Sequence, residues 1–378
     1  MMLDADKVRK VARILSTKEI DAFLLGPSTD LEYVSGLKMA ECERFKGMFI
    51  LANGDVFCVV PHIYLEEFEK ELPESTPVYV WEDQDWFYPE LAKAFRDYGL
   101  EGKQLAVNDG VRAVDAVEIQ ERHDMQLVNG WHLLEDMRIK KNSEEVELLR
   151  HAGEIADATL EDLLSFIRPG MTEKQIRKQL LELLEKHGAQ GLSFDPIVAR
   201  GPNASMAHYN RTDGVLQERD SLLIDFGCRY RGYCSDMTRT FFLGEPSEEE
   251  RRLYEIVRRS QEAGEEAVRP GVPAEEVDRA ARKVIEDAGY GEYFNNRVGH
   301  GIGMAVHEAP FIMEGNKRLL EPGMSFSIEP GIYIPGRIGI RIENIVVVTD
   351  GGCRPMSVFT RELTVIGNSV SADSETGR

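Results

Sequence analysis

The chain has 378 residues, 42% hydrophobic and 29% charged, with 45 Lys and Arg against 66 Asp and Glu for a net charge of −21. That length allows two domains with substantial cores, and the acidity argues against a nucleic-acid or anionic-membrane surface, since phosphate binding relies on clustered Lys and Arg. No run is long and apolar enough to span a membrane, the start Met1-Met2-Leu3-Asp4 lacks a signal-peptide apolar core, and the five cysteines form no close zinc pattern, so a cytoplasmic protein with reduced thiols is expected.

Periodicity predicts an amphipathic helix near 6–16, strands near 21–25, 48–51 and 56–60, and helices near 64–71 and 89–98. Residues 1–135 therefore read as an α/β domain with a mixed sheet. At 137–142 the pattern changes: Asn142, with Glu145 three residues later, makes a helix-capping pair and opens a long helical run. A second domain is expected over 136–368, with 369–378 a polar, disordered tail. Within it Arg168-Pro169-Gly170-Met171 and a helix down to Gly188 recur as Arg269-Pro270-Gly271-Val272 and a helix down to Gly289, each displaced by 101 residues. A duplicated α+β half-unit accounts for that constant spacing.

Five side chains able to bind metal occur in order through this domain. Asp225 ends Leu222-Leu223-Ile224 and Asp236 opens Met237-Thr238-Arg239-Thr240-Phe241-Phe242; a hairpin with its turn centred between Tyr230 and Arg231 would set the two aspartates opposite each other on one face. Like charges placed so are destabilising without an intervening cation. His300 lies in Gly299-His300-Gly301-Ile302-Gly303, where small neighbours allow close approach. Glu329 follows the alternating run Met324-Ser325-Phe326-Ser327-Ile328, and Glu343 sits inside a predicted strand from Ile340 to Val348.

Singly, an acid is most often a solvated surface group and a histidine most often structural. Together, four carboxylates and an imidazole repel one another unless their pKa values rise or divalent cations sit among them. A hydrolase with two cations about 3.5–4 Å apart accounts for all five, the first repeat supplying the aspartates and the second the other three. Rival motifs fail. Asp225-Phe226-Gly227 has no His-Arg-Asp loop to accompany it, Val306 stands where a third glycine would follow Gly301 and Gly303, and Phe311 stands where a zinc-protease helix begun by His307-Glu308 needs its second histidine.

Leu-Ile-Asp-Phe-Gly around Asp225, Tyr-Cys-Ser-Asp-Met-Thr-Arg-Thr-Phe around Asp236, Gly-His-Gly-Ile-Gly-Met-Ala-Val-His-Glu from Gly299 to Glu308, Ile-Glu-Pro-Gly from Ile328 and Arg-Ile-Glu-Asn from Arg341 resemble the pita-bread metallopeptidases. The resemblance is to the Xaa-Pro dipeptidase (prolidase) and aminopeptidase P branch and spans nearly the whole chain, residues 1–135 being similar to that branch's creatinase-type N-terminal domain. It implies an α+β catalytic domain with internal pseudo-two-fold symmetry and two divalent ions, Asp225 on one, His300 and Glu329 on the other, and Asp236 and Glu343 bridging. Glu329 would also pass the proton from attacking water to leaving nitrogen. His208 and His307 would hold the substrate and stabilise the tetrahedral intermediate. Arg341 would anchor a substrate carboxylate, a structural ion pair being its alternative. Carboxylate-rich ligation favours Mn²⁺ or Co²⁺, then Fe²⁺, with Zn²⁺ a further option.

Two departures bear on the substrate pocket. Asn296 stands four residues before His300, where proline-specific members usually carry a histidine, and Ala207 precedes His208 where they commonly have proline. The resemblance implies hydrolysis of short peptides with proline second, by a homodimer. A C–N hydrolase of a small metabolite on the same fold, which Asn296 favours, and a catalytically silent binding protein, which five intact ligands disfavour, are the alternatives.

Overall fold

The computed structural model describes residues 3–367; the tail expected at 369–378 lies outside the described residues. The chain divides into two compact units between Met137 and Arg138.

In the first unit, β1 (Ala22–Leu25), β2 (Gly47–Leu51), β3 (Val56–Pro61), β4 (Val78–Trp81), β5 (Gln104–Val107) and β6 (Gln126–Asn129) form one mixed sheet in the order β4-β3-β2-β1-β5-β6. Strand β1 runs antiparallel to β2 and parallel to β5. Successive side chains point to opposite faces of a strand, so each strand feeds two cores. Phe23 and Leu25 pack with Val8, Val11 and Leu15 of the helix Ala5–Thr17, whereas Ala22 and Leu24 pack with Leu91 and Phe95 of the helix Tyr88–Tyr98. Covered on both faces, these strands read as continuous apolar runs.

The second unit carries the helix Ser143–Phe166, whose start closes as the capping pair predicts: Asn142 Oδ1 accepts from the Glu144 and Glu145 N–H groups, and the Asn142 N–H donates to Glu145 Oε2 at 2.8 Å. One sheet joins β7 (Ile197–Arg200), β8 (Ser221–Phe226), β11 (Met237–Leu243) and β19 (Val365–Ile366) in the order β19-β11-β8-β7; β9 (Arg229–Tyr230) and β10 (Tyr233–Cys234) extend the hairpin between β8 and β11. A second joins β12 (Gly299–Gly301), β13 (Glu308–Ile312), β14 (Ser325–Ile328), β17 (Asn344–Thr349) and β18 (Gly352–Pro355) in the order β13-β12-β14-β17-β18, while β15 (Gly331–Ile334) and β16 (Ile338–Arg341) pair with each other.

The sequence repeat is a structural one. Gly170 and Gly271 take φ of 86° and 82°, and their N–H groups bond the Leu216 and Leu320 carbonyls, both at 2.8 Å. The helices Glu173–Lys186 and Ala274–Asp287 follow, and each is succeeded by a glycine of positive φ, Gly188 and Gly289. The first helix packs Leu180 into a core with Ile224 and Phe241; the second packs Ala281 with Ile328 and Val346.

Two expectations change. The hairpin turns at Arg231 and Gly232, not between Tyr230 and Arg231, because both take positive φ (47° and 88°) in the two-residue turn that matches strand twist. Tyr230 therefore pairs with Tyr233 and Asp225 with Thr238, leaving Asp236 two residues short of facing Asp225. The slip is by two positions, so the aspartates keep one face as diagonal neighbours. Glu343, moreover, is not inside one strand. Residues Ile342 and Glu343 form the break where the chain leaves β15 and joins β14, and the Glu343 N–H crosses to the Thr238 carbonyl at 3.1 Å.

Candidate metal centre

The ends of β8, β11, β12 and β14 and the break at Glu343 bring their acids and imidazole to one place. Asp236, His300 and Glu343 offer ligand atoms that all lie within 4.8 Å of one another, and His300 Nε2 is 3.2 Å from Glu329 Oε1 and 3.6 Å from Asp236 Oδ2. Close approach depends on missing side chains: a Cβ on Gly299 would meet the Ser327 carbonyl at 1.9 Å, and one on Gly301 the Ala309 carbonyl at 2.1 Å. Ser327 is the buried brace, accepting from the His300 N–H at 3.0 Å and donating to Glu329 Oε1 at 2.9 Å. His300 Nδ1 lies 3.1 Å from the Gly301 carbonyl. Donation there leaves the Nε2 lone pair aimed at carboxylates, an arrangement that calls for a cation or a proton between them.

Electrostatics give the same answer. Burial, then Glu343, Asp225 and Glu329, push Asp236 well above the usual carboxylate range; burial, then Glu329 and Asp225, do so for Glu343. Burial also raises Asp225, against the opposing charge of Arg341. Glu329 alone goes down, because the His300 and Ser327 hydrogen bonds and the charges of His300 and Arg341 outweigh its burial. Asp225 Oδ1 and Glu343 Oε1 are buried with no hydrogen-bond partner among the described residues. Such atoms cost roughly 1–3 kcal/mol each when left unsatisfied, and more when charged. This set of hard oxygens with one imidazole fits divalent cations.

Of the two roles expected for Arg341, the structure shows the ion pair. Its guanidinium is 3% exposed and donates through Nη2 to Asp225 Oδ2 at 2.5 Å, through Nε to Thr238 Oγ1 at 2.9 Å and through Nη1 to Tyr333 Oη at 2.7 Å. Nη1 also lies 3.4 Å from the carbonyl of Ala207, the residue before His208. Thr238 in turn donates to Glu343 Oε2 at 2.6 Å.

His208 and His307 are both exposed, His307 with its ring centroid 4.2 Å from that of His300. The His307 pKa is pushed down to about 4 by loss of solvent around the ring and by His300 and Arg297. The ring is therefore a neutral imidazole at neutral pH. His208 also opposes charge on His307. Its loop is tied down by Glu173, fully buried, whose Oε1 accepts from the Arg200 N–H at 2.9 Å and Asn203 Nδ2 at 2.8 Å, and whose Oε2 accepts from Tyr209 Oη at 2.8 Å and the Gly214 N–H at 2.9 Å. Next to His307, Glu308 pairs with Lys141 at 2.6 Å and with Arg138. Asn296 donates from Nδ2 to the Arg297 carbonyl at 3.1 Å and keeps Oδ1 buried and unpartnered. Arg297, which sequence reasoning passed over, lies 4.7 Å from the Phe311 ring centroid.

Residues 147–350 match the model of metallopeptidase family M24, and residues 7–140 match the creatinase/prolidase N-terminal domain. The chain belongs to metallopeptidase family M24. This M24 chain is 32% identical over 363 residues to an Xaa-Pro dipeptidase of Pyrococcus horikoshii, covering 95% of this chain and 98% of that one. It is 35% identical over 370 residues to a probable dipeptidase PepE of Mycobacterium bovis, covering 96% and 98%. The crystal structure of recombinant prolidase from Thermococcus sibiricus matches with a TM-score of 0.92 at 32% identity, over 97% of this chain and 100% of that one. The M24 member described here is thus a metallopeptidase that joins a creatinase-type N-terminal domain to a pita-bread catalytic domain.

Proposed function

We propose that the protein is a metal-dependent exopeptidase of the Xaa-Pro type, which hydrolyses the amide bond of short peptides with proline second. The observation that carries the metal reading is the pair of buried, unpartnered carboxylate oxygens, Asp225 Oδ1 and Glu343 Oε1, inside a cluster of four acids and His300. The relatives named Xaa-Pro dipeptidase support the substrate class.

Asp225 would hold one divalent ion, His300 and Glu329 the other, and Asp236 and Glu343 both. Mn²⁺ or Co²⁺ suits this oxygen-rich set, Fe²⁺ and Zn²⁺ remaining candidates. When bound, the ions supply Lewis acidity and a nucleophilic hydroxide at neutral pH. Glu329 would carry the proton, accepting it at a carboxylate oxygen and donating it to the leaving nitrogen. His307 and His208, exposed beside the cluster, offer imidazole hydrogen bonds to the substrate and to the oxyanion. A cytoplasmic homodimer belongs to the same proposal; among the described residues no helix is long and apolar enough to cross a membrane.

The test is turnover of a panel of Xaa-Pro dipeptides, Xaa-Pro-Xaa tripeptides and non-proline dipeptides by protein loaded with Mn²⁺. Cleavage confined to proline-containing peptides is expected, and no cleavage of any peptide would overturn the reading. Two variants test the roles. Asp236→Ala should lose metal with activity, whereas His307→Ala should keep metal and lose about 10²–10³-fold in kcat. The opposite pattern of metal contents would invert the assignment.

A further inference from the structure

A second cluster of reactive groups lies wholly within the first unit. Lys46 opens β2's approach and is 2% exposed, yet its ammonium meets no carboxylate among the described residues. Its partners are Cys42 Sγ at 3.0 Å and the face of Tyr64, ring centroid 4.5 Å away. Tyr64 Oη lies 3.7 Å from the same sulfur. Burying an ammonium without a counter-charge is expensive, and neighbouring charges decide which group can supply one. Arg44 is engaged by Asp83 and Glu43, and Arg112 by Asp115. Of the remaining acids around the pocket, Glu41 is exposed. The thiol of Cys42 is therefore the group placed to carry the negative charge that Lys46 lacks.

We infer that Cys42 and Lys46 form a thiolate–ammonium pair and that Cys42 is a modification site for small hydroperoxides and soft electrophiles. The sulfur is half-buried and lines a pocket with Pro27, Arg44, Lys46, Gly110 and Arg112. Burial would raise the thiol, but the hydrogen bond from Lys46, the Arg44 backbone, the Tyr64 contact and the Lys46 charge hold it below the ordinary thiol range, although a protonated thiol can donate to the Arg44 carbonyl at 3.9 Å. The other thiols are differently placed: burial raises Cys58, Cys228 and Cys353, the last two to about 11, and Cys234 is buried. With hydrogen peroxide, the thiolate attacks one oxygen, an S–O bond forms and the O–O bond breaks. The departing hydroxide takes a proton from Lys46 and leaves as water. Sulfur is oxidised by two electrons to the sulfenic acid and the peroxide is reduced. This inference is independent of the peptidase reading, since it uses no residue of the metal centre.

The test is site-resolved labelling of the full chain, followed by peptide mass mapping. Under iodoacetamide at neutral pH, Cys42 is expected to react at least about tenfold faster than Cys353, the other partly exposed thiol. Its rate should level off below pH about 8.5, the midpoint of an ordinary thiol. Hydrogen peroxide followed by dimedone should mark Cys42 first, and Lys46→Met should remove the advantage. Equal rates at Cys42 and Cys353 would overturn the inference, as would a Cys42 profile centred on the ordinary thiol value. Both are read on the unaltered protein, so the outcome stands even if Lys46→Met does not fold.

Discussion

Arg341 and Asp225 form a buried ion pair at 2.5 Å, and the other oxygen of the same carboxylate, Asp225 Oδ1, has no hydrogen-bond partner among the described residues. One half of the carboxylate is satisfied by a guanidinium and the other waits for a positive ligand. Removing one member of a buried pair costs about 3–5 kcal/mol because an uncompensated charge stays behind. Arg341→Met is therefore expected to lower Tm strongly in metal-free protein and to weaken metal binding, since Asp225 loses the charge that opposes its rise in pKa. Added Mn²⁺ should recover part of the Tm. Unchanged melting and metal content per chain would show that the pair is dispensable.

The raised carboxylates set a pH dependence whose sign can be stated. Asp236, Glu343 and Asp225 have folded pKa values above their unfolded ones, so the metal-free folded state binds more protons than the unfolded state. Their contribution is fully present below the unfolded pKa, about 4, and is lost as pH rises through the folded values. Glu329 and Glu308 act the other way, as lowered groups. Metal binding requires the carboxylates ionised and releases their protons. The difference in Tm between Mn²⁺-loaded and metal-free protein, in which Glu308 cancels, should therefore widen from pH about 4 towards neutrality. A difference that stays flat or shrinks over that window would mean that these acids do not hold the cation.

Glu173 offers a positioning test. Its two oxygens accept four hydrogen bonds, one of them from Tyr209, the residue after His208. An amide at this position keeps one acceptor and turns donors towards donors, leaving at least one buried N–H unsatisfied at about 1–3 kcal/mol. Glu173→Gln is expected to lower kcat/KM about tenfold through the His208 loop with metal content unchanged, whereas Glu173→Asp should recover part of it. A fall in Tm with kcat/KM intact would make Glu173 a purely structural brace.

Much of this was legible in the residue order. The five candidate ligands stand in apolar or glycine-rich runs, and the 101-residue repeat predicts the paired glycine turns at Gly170 and Gly271. What the sequence hid follows from long-range geometry. The turn slip to Arg231 and Gly232 depends on a non-glycine residue accepting φ of 47°, which no local pattern demands. The break at Glu343 sits within an unbroken β-type run, because the change of partner from β15 to β14 leaves no trace in composition. Thr238 was visible as the residue two after Asp236 on the same strand face; Glu173 and Arg297 were not, since their partners are distant in the chain.

Asn296 is the position at which the proposed proline preference can be tested. One of its two amide N–H donors is spent on the Arg297 carbonyl, and its buried Oδ1 lacks a donor among the described residues. The position therefore carries a neutral amide, where an imidazole would offer a donor able to carry charge. Asn296→His is expected to raise kcat/KM on Xaa-Pro substrates by up to about tenfold, the worth of one ordinary hydrogen bond, with metal content unchanged. The measurement is steady-state kinetics on folded, fully metallated variant and parent. An unchanged or lower kcat/KM would identify Asn296 as an adaptation to a different substrate. Coupled with a parent that cleaves no Xaa-Pro peptide, that result would favour a C–N hydrolase of a small metabolite.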